Sequence, residues 1–84
     1  MALRLGADVC TATTEYGTIL LDQRSGAYWE LNPTGTLVVR TLLEGGDEED
    51  AVGALVAEFD IDQDQAARDV AALTGQLRTS GLVS

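Results

Sequence analysis

Few side chains in this 84-residue chain could do covalent or acid–base chemistry: one cysteine, Cys10, three serines, Ser25, Ser80 and Ser84, and fourteen carboxylates, with no histidine and no lysine. Without histidine neither a Ser-His nor a Cys-His nucleophile pair can form, and the commonest general acid and base is missing. A lone thiol makes no internal disulfide and supplies no cage for zinc or an iron–sulfur cluster. Cys10 stands in the β-like run Val9-Cys10-Thr11-Ala12-Thr13-Thr14, where it reads as a small strand residue. An unpaired thiol also fits a reducing compartment.

Three patterns imitate chemistry and fail on their spacing. Asp60-x-Asp62-x-Asp64 opens like a calcium loop, but its sixth position is Gln65 where a sharp turn needs Gly, and its twelfth is Ala71 where a bidentate Glu is required. Asn32-Pro33-Thr34 is no glycosylation acceptor, because Pro occupies the middle position. An acidic chain of this length also suggests an acyl carrier. No serine lies at a helix start in an Asp-Ser-Leu context, and the chain opens with strands that an all-helical carrier lacks. No cofactor and no metal site are expected.

Charge removes another class. The net charge is −9, with five scattered arginines as the whole cationic complement, so the chain is poorly suited to neutralise phosphates and no nucleic-acid partner is expected. The imbalance is concentrated: residues 1–44 sum to −2 and residues 45–84 to −7. An acidic face keeps a small domain soluble and steers it toward basic partners. The opening Met1-Ala2-Leu3-Arg4-Leu5-Gly6 has no long apolar run, and no stretch nears the ~18–20 residues that cross a bilayer. A soluble, cytoplasmic protein without membrane contact is the expectation.

The elements that must position any site follow from patterning. The length suits one domain, 1–84, burying roughly 60–65% of its unfolded surface. Val9–Thr14, Thr18–Asp22 and Ala27–Leu31 are β-like runs separated by Glu15-Tyr16-Gly17 and by Gln23-Arg24-Ser25-Gly26, which predicts a three-stranded antiparallel meander. Asn32 as N-cap and Pro33 at the first helical position start a helix that carries Leu37, Val38, Thr41 and Leu42 inward and stops at Gly45-Gly46. Asp47 caps a second helix whose acidic first turn meets the positive end of the dipole and whose buried stripe reads Val52, Leu55, Val56 and Phe59. Asp62-x-x-Gln65 has the form of a capping box for a third helix, with Ala66, Val70, Leu73 and Leu77 on its inner seam and Gly81 as its stop. Leu82 and Val83 are expected to fold back onto the core. Strands followed by helices make the fold α+β.

The third strand is then a candidate open edge. Ala27, Trp29 and Leu31 point to one face and Tyr28 and Glu30 to the other, and an uncovered edge is a row of unpaired backbone donors and acceptors. Trp29 and Leu31 read as core; Tyr28 reads as a recognition residue, because a phenol wants a wet end. An extended peptide could add here as a fourth strand, with the third helix as the other wall.

The run Gly17-x-x-Leu20-Leu21-Asp22-x-x-x-Gly26-x-Tyr28-Trp29-x-Leu31-Asn32-x-Thr34-Gly35, then Leu42-Leu43-x-Gly45 and Asp69-Val70-x-x-Leu73-x-x-x-Leu77-x-x-x-Gly81-Leu82, resembles the PqqD-like proteins, most closely the small stand-alone members from lasso-peptide biosynthesis. That resemblance implies a single RiPP recognition domain, winged helix-turn-helix-like, with three strands followed by three helices. It implies a non-catalytic protein that binds the leader segment of a precursor peptide by strand addition. Such a protein presents the leader to a separate cysteine-type leader peptidase, which acts before a lasso cyclase closes the ring. The implied peptide-binding residues are Ala27, Tyr28, Trp29, Glu30 and Leu31 on the strand and Asp69, Val70, Leu73 and Leu77 on the helix, with Gln76 added from helix geometry. Two flanks of the helix remain open to that role, Asp69, Leu73, Gln76 and Ser80 or Ala67, Ala71, Thr74 and Arg78; the first is preferred. Family leaders resemble Tyr-x-x-Pro, which implies an aromatic pocket near Leu73. Two alternatives stand beside this reading: a leader-binding partner of another modifying enzyme, such as a radical-SAM protein, and a generic acidic interaction or dimerisation module.

Overall fold

The computed structural model describes residues 3–83. Three strands, β1 (Val9–Thr14), β2 (Gly17–Asp22) and β3 (Tyr28–Leu31), form an antiparallel sheet in the order β1-β2-β3 and are followed by helices α1 (Pro33–Leu43), α2 (Glu48–Phe59) and α3 (Gln63–Ser80). This is the expected α+β arrangement. The register pairs Cys10 with Leu21, and Leu20 with Trp29. Side chains alternate across a sheet, so Leu20, Trp29 and Leu31 share the face toward the helices, while Leu21, Tyr28 and Glu30 share the outer face.

The turns show why the strands stop where they do. The Asp22 carboxylate accepts the Arg24 amide at 2.9 Å, an Asx turn whose hydrogen bond, before any other contact, holds the Asp22 pKa below its ordinary value. Gly26 then takes φ +78°, and the Asp22 amide donates to the Ala27 carbonyl at 2.8 Å, so Ala27 continues the ladder just before β3. Gly17 has a stronger requirement. It sits at φ +147°, and a Cβ there would run into the Leu31 carbonyl, so only glycine lets the start of β2 lie against the end of β3.

Helix α1 is enclosed on nearly every side. Gly35, Leu37, Val38, Val39 and Leu42 are buried, because α1 packs on β2 and β3 with one face and on α2 with another. The expected seam lacked Val39, and the expected Thr41 is only half-buried; its hydroxyl donates to the Leu37 carbonyl at 2.8 Å. Asn32 Oδ1 accepts the Gly35 amide at 2.8 Å, which is the predicted N-cap.

Two expectations about α2 and α3 require correction. On α2 the buried residues are Ala51 and Leu55, whereas Val56 and Phe59 are 37% and 39% exposed. Helix α2 is rotated so that its small residue Ala51 meets its neighbours, which leaves half of the apolar stripe outside. The reciprocal capping box forms at Asp47 and Asp50, each carboxylate accepting the other's amide at 2.9–3.0 Å. At α3 the Asp62 carboxylate accepts the Gln65 amide, but the Gln65 side chain turns forward. Its Nε2 donates to Asp69 Oδ1 at 2.8 Å and its Oε1 accepts from Arg68 at 3.2 Å. Asp62 thus serves the helix start, as expected of a residue in that acidic run.

The chain ends close on each other. Gly81 reverses α3 at φ +82°, Leu82 and Val83 are buried as expected, and Leu5 bridges to Val83 while the Gly6 amide donates to the Leu82 carbonyl at 2.9 Å. Leu3 enters the core as well. No helix of the described residues is long and apolar enough to cross a membrane.

Candidate functional site

Among the described residues no strand pairs with the outer edge of β3. In an antiparallel ladder hydrogen-bonded pairs alternate, and the Asp22–Ala27 bond fixes the phase: Trp29 and Leu31 direct their backbone groups at β2, and Tyr28 and Glu30 direct theirs outward. Two amides and two carbonyls therefore line an edge two residues apart, the pattern that an added strand requires.

Across from that edge lies α3, separated from β3 by a cleft of about 460 Å³. Trp29, Glu30 and Leu31 form one wall, and Asp69, Ala72, Leu73 and Gln76 form the other. Val38 of α1 and Leu55 of α2, both buried in the core, close its floor, and the α1 cap residues Asn32, Thr34 and Gly35 border one end. Beyond Gln76 the cleft opens into a shallower trough along Ala71, Gly75, Thr79 and Ser80, with Trp29 still on the strand side. Asp69 Oδ1 accepts from Gln65 Nε2 at 2.8 Å, which turns its carboxylate along the exposed rim.

The residues named from sequence divide clearly. Trp29, Glu30, Leu31, Asp69, Leu73 and Gln76 come together around the cleft. Trp29 is only half-buried, so it is a wall residue as much as a core one, while Leu31 is 5% exposed. Ala27 lies just outside β3, and Tyr28 is 64% exposed on the outer face; both flank the edge without lining the cleft. Val70 and Leu77 are corrected: at 1% and 0% exposure they belong to the core seam that holds α3 in place, and neither faces the cleft. Asp69, Leu73, Gln76 and Ser80 occupy the flank facing β3, the preferred alternative. On the other flank Thr74 is buried, its hydroxyl bonded to the Val70 and Ala71 carbonyls.

Ala72 and Gly75 were missed. Ala72 completes the i, i+3, i+4, i+7 stripe begun by Asp69, so spacing alone contained it; its small side chain gave no reason to weigh it. Asn32 and Thr34 were read at the helix start and Gly35 only within the family run, none of them as a site residue, and their place at the cleft depends on how β3 runs into α1.

Among the described residues no group of three His, Cys, Asp or Glu side chains is placed to hold a metal ion. A sheet edge and a helix facing each other across a cleft of mixed polar and apolar lining are the frame of a small recognition domain. The family model for coenzyme PQQ synthesis protein D (PqqD) matches residues 17–83, and the chain belongs to this family as a PqqD-like RiPP recognition element. Among solved structures it is similar to a lasso peptide synthetase B1 complexed with the leader peptide, at 39% identity and a TM-score of 0.92, covering 100% of this chain and 99% of that one. It is also similar to TbiB1 in complex with the TbiA(beta) leader peptide, at 26% identity and a TM-score of 0.86, covering 96% and 94%. No curated protein matches the sequence.

Proposed function

We propose that this chain binds the leader segment of a lasso precursor peptide as a fourth strand on β3 and presents it to a separate cysteine-type leader peptidase, ahead of the cyclase. The protein itself is non-catalytic in this scheme. The observation that carries the reading is the open Tyr28–Glu30 edge facing Asp69, Leu73 and Gln76 across the cleft, in a chain that aligns over its full length with a leader-bound B1 protein. Main-chain bonds to the edge supply affinity, and alternate leader side chains enter the cleft, where Trp29 and Leu73 offer an apolar seat for a tyrosine. Strand addition of a short segment corresponds to micromolar or tighter binding, about −8 kcal/mol or better.

The test is a fluorescence-anisotropy titration with a synthetic leader carrying Tyr-x-x-Pro, the same peptide with Ala for Tyr, and a DNA duplex. Saturable binding of the intact leader alone supports the reading. Binding of the duplex, or equal binding of both peptides, contradicts it. Presentation is tested separately, by whether the chain accelerates leader cleavage by the peptidase.

A further inference from the structure

The apolar stripe of α2 that the fold leaves uncovered lies away from the leader cleft. Val52, Gly53, Val56 and Ala57 of α2 and Ala67 and Val70 of α3 line a groove of about 770 Å³ between the two helices. Asp69, Leu73 and Gln76 face β3 from another flank of the same helix, so the two surfaces can be filled together. Glu48 and Glu49 stand at one end of the groove, and Gln63 is its remaining polar lining residue. Glu48 Oε1 lies 3.4 Å from the Thr74 hydroxyl, whose proton is directed to the closer Val70 and Ala71 carbonyls of its own helix.

We propose that this groove is a second docking surface, and that its occupant is an amphipathic helix of a partner protein whose apolar face is edged with Arg or Lys. Three observations select that occupant. The lining is apolar with an acidic end and no cation, in the half of the chain that carries −7. A second copy of this chain would bring its own −9 to the contact, which disfavours self-pairing. Gly53 lies in the middle of α2, where glycine is the least favoured residue after proline, yet a Cβ there would meet nothing within 4 Å. The domain's own packing gives no reason for Gly53; a helix seated against the α2 backbone does. Gly75 has the same open surroundings and borders the trough beside the leader cleft, so both helix glycines with open space lie along grooves.

The experiment is an amide chemical-shift titration of the labelled full chain with two synthetic helical probes. Both carry Leu at i, i+3, i+4 and i+7; one is flanked by Arg and the other by Glu. The Arg probe is expected to shift Val52, Gly53, Val56 and Ala67 and to bind about tenfold more tightly than the Glu probe. Gly53→Leu, which fills the groove, and Val56→Asp, at an exposed position, are each expected to weaken it by about tenfold with leader affinity unchanged. Shifts confined to the β3–α3 cleft, equal affinity for both probes, or no effect of either substitution overturns the proposal. So does a concentration-dependent dimer that Val56→Asp dissolves, which would give the groove to a second copy. Failure of the leader to bind the unaltered chain would overturn the leader reading and leave this result standing.

Discussion

Leu20 and Trp29 stand directly opposite each other across β2 and β3, yet Leu20 is completely buried while Trp29 remains half-open to the cleft. The pair marks the line where the core becomes the binding surface, and the two residues should respond differently to truncation. Leu20→Ala removes a fully packed side chain and is expected to cost about 3–4 kcal/mol of stability. Trp29→Ala is expected to cost about 2 kcal/mol, since part of the ring is already wet, and in addition to weaken leader binding by about tenfold. Urea denaturation alongside anisotropy separates the effects. Equal stability losses with unchanged affinity would make Trp29 a core residue only.

The phase of the β2–β3 ladder predicts a pattern that needs no mutation. The amides of Trp29 and Leu31 point at β2, and those of Tyr28 and Glu30 point outward. In hydrogen exchange the first two should be protected in the free protein, and the last two should gain protection when the leader is added. Tyr28→Ala should leave the fold intact and reduce affinity by only about threefold, since its side chain flanks the edge on the outer face. Protection gained at Trp29 instead would place the leader elsewhere.

Much of this arrangement was legible in the sequence because local signals agreed. Asn32-Pro33, Asp47, Asp62 and Gly81 mark the helix ends where they are observed, and the turns around Gly17 and Gly26 bound β2 and β3. Periodicity could say which residues share a helix face but not which way the face is turned. Val56 and Phe59 therefore read as buried, although Ala51 and Leu55 are the residues that α2 buries. Spacing put Val70 and Leu77 on the inner seam, where they are found, and only the family resemblance carried them to the cleft wall with Leu73, from which they are turned by about 40–60° around the helix axis. The contribution of Leu3 to the core depends on the chain ends meeting, which no local pattern encodes.

Leu73 and Leu77 lie one turn apart on α3 and offer a clean contrast. Leu77→Ala opens a cavity at a fully buried site and is expected to cost about 3 kcal/mol. Leu73→Ala, at a half-buried wall position, should cost about 1 kcal/mol and lower leader affinity by about tenfold. Measured on folded protein well below the unfolding midpoint, Leu77→Ala should bind nearly as the unaltered chain does. The reverse ranking in affinity would mean that the helix presents its other flank.

Gly17 tests whether the strand edge depends on the close approach of β2 to the end of β3. Gly17→Ala places a methyl group against the Leu31 carbonyl at a positive φ, so β3 must move or the backbone must strain, at about 2 kcal/mol or more. Gly26→Ala is the control: it shares the positive φ but its Cβ would meet nothing within 4 Å, so it should cost only about 1 kcal/mol. Displacement of Leu31 also shifts Glu30, whose outward amide and carbonyl form half of the edge. Gly17→Ala should therefore lose leader affinity beyond what its fraction unfolded explains, and Gly26→Ala should not. Matching affinities for the two variants would show that the edge tolerates the shift and that the cleft alone carries recognition.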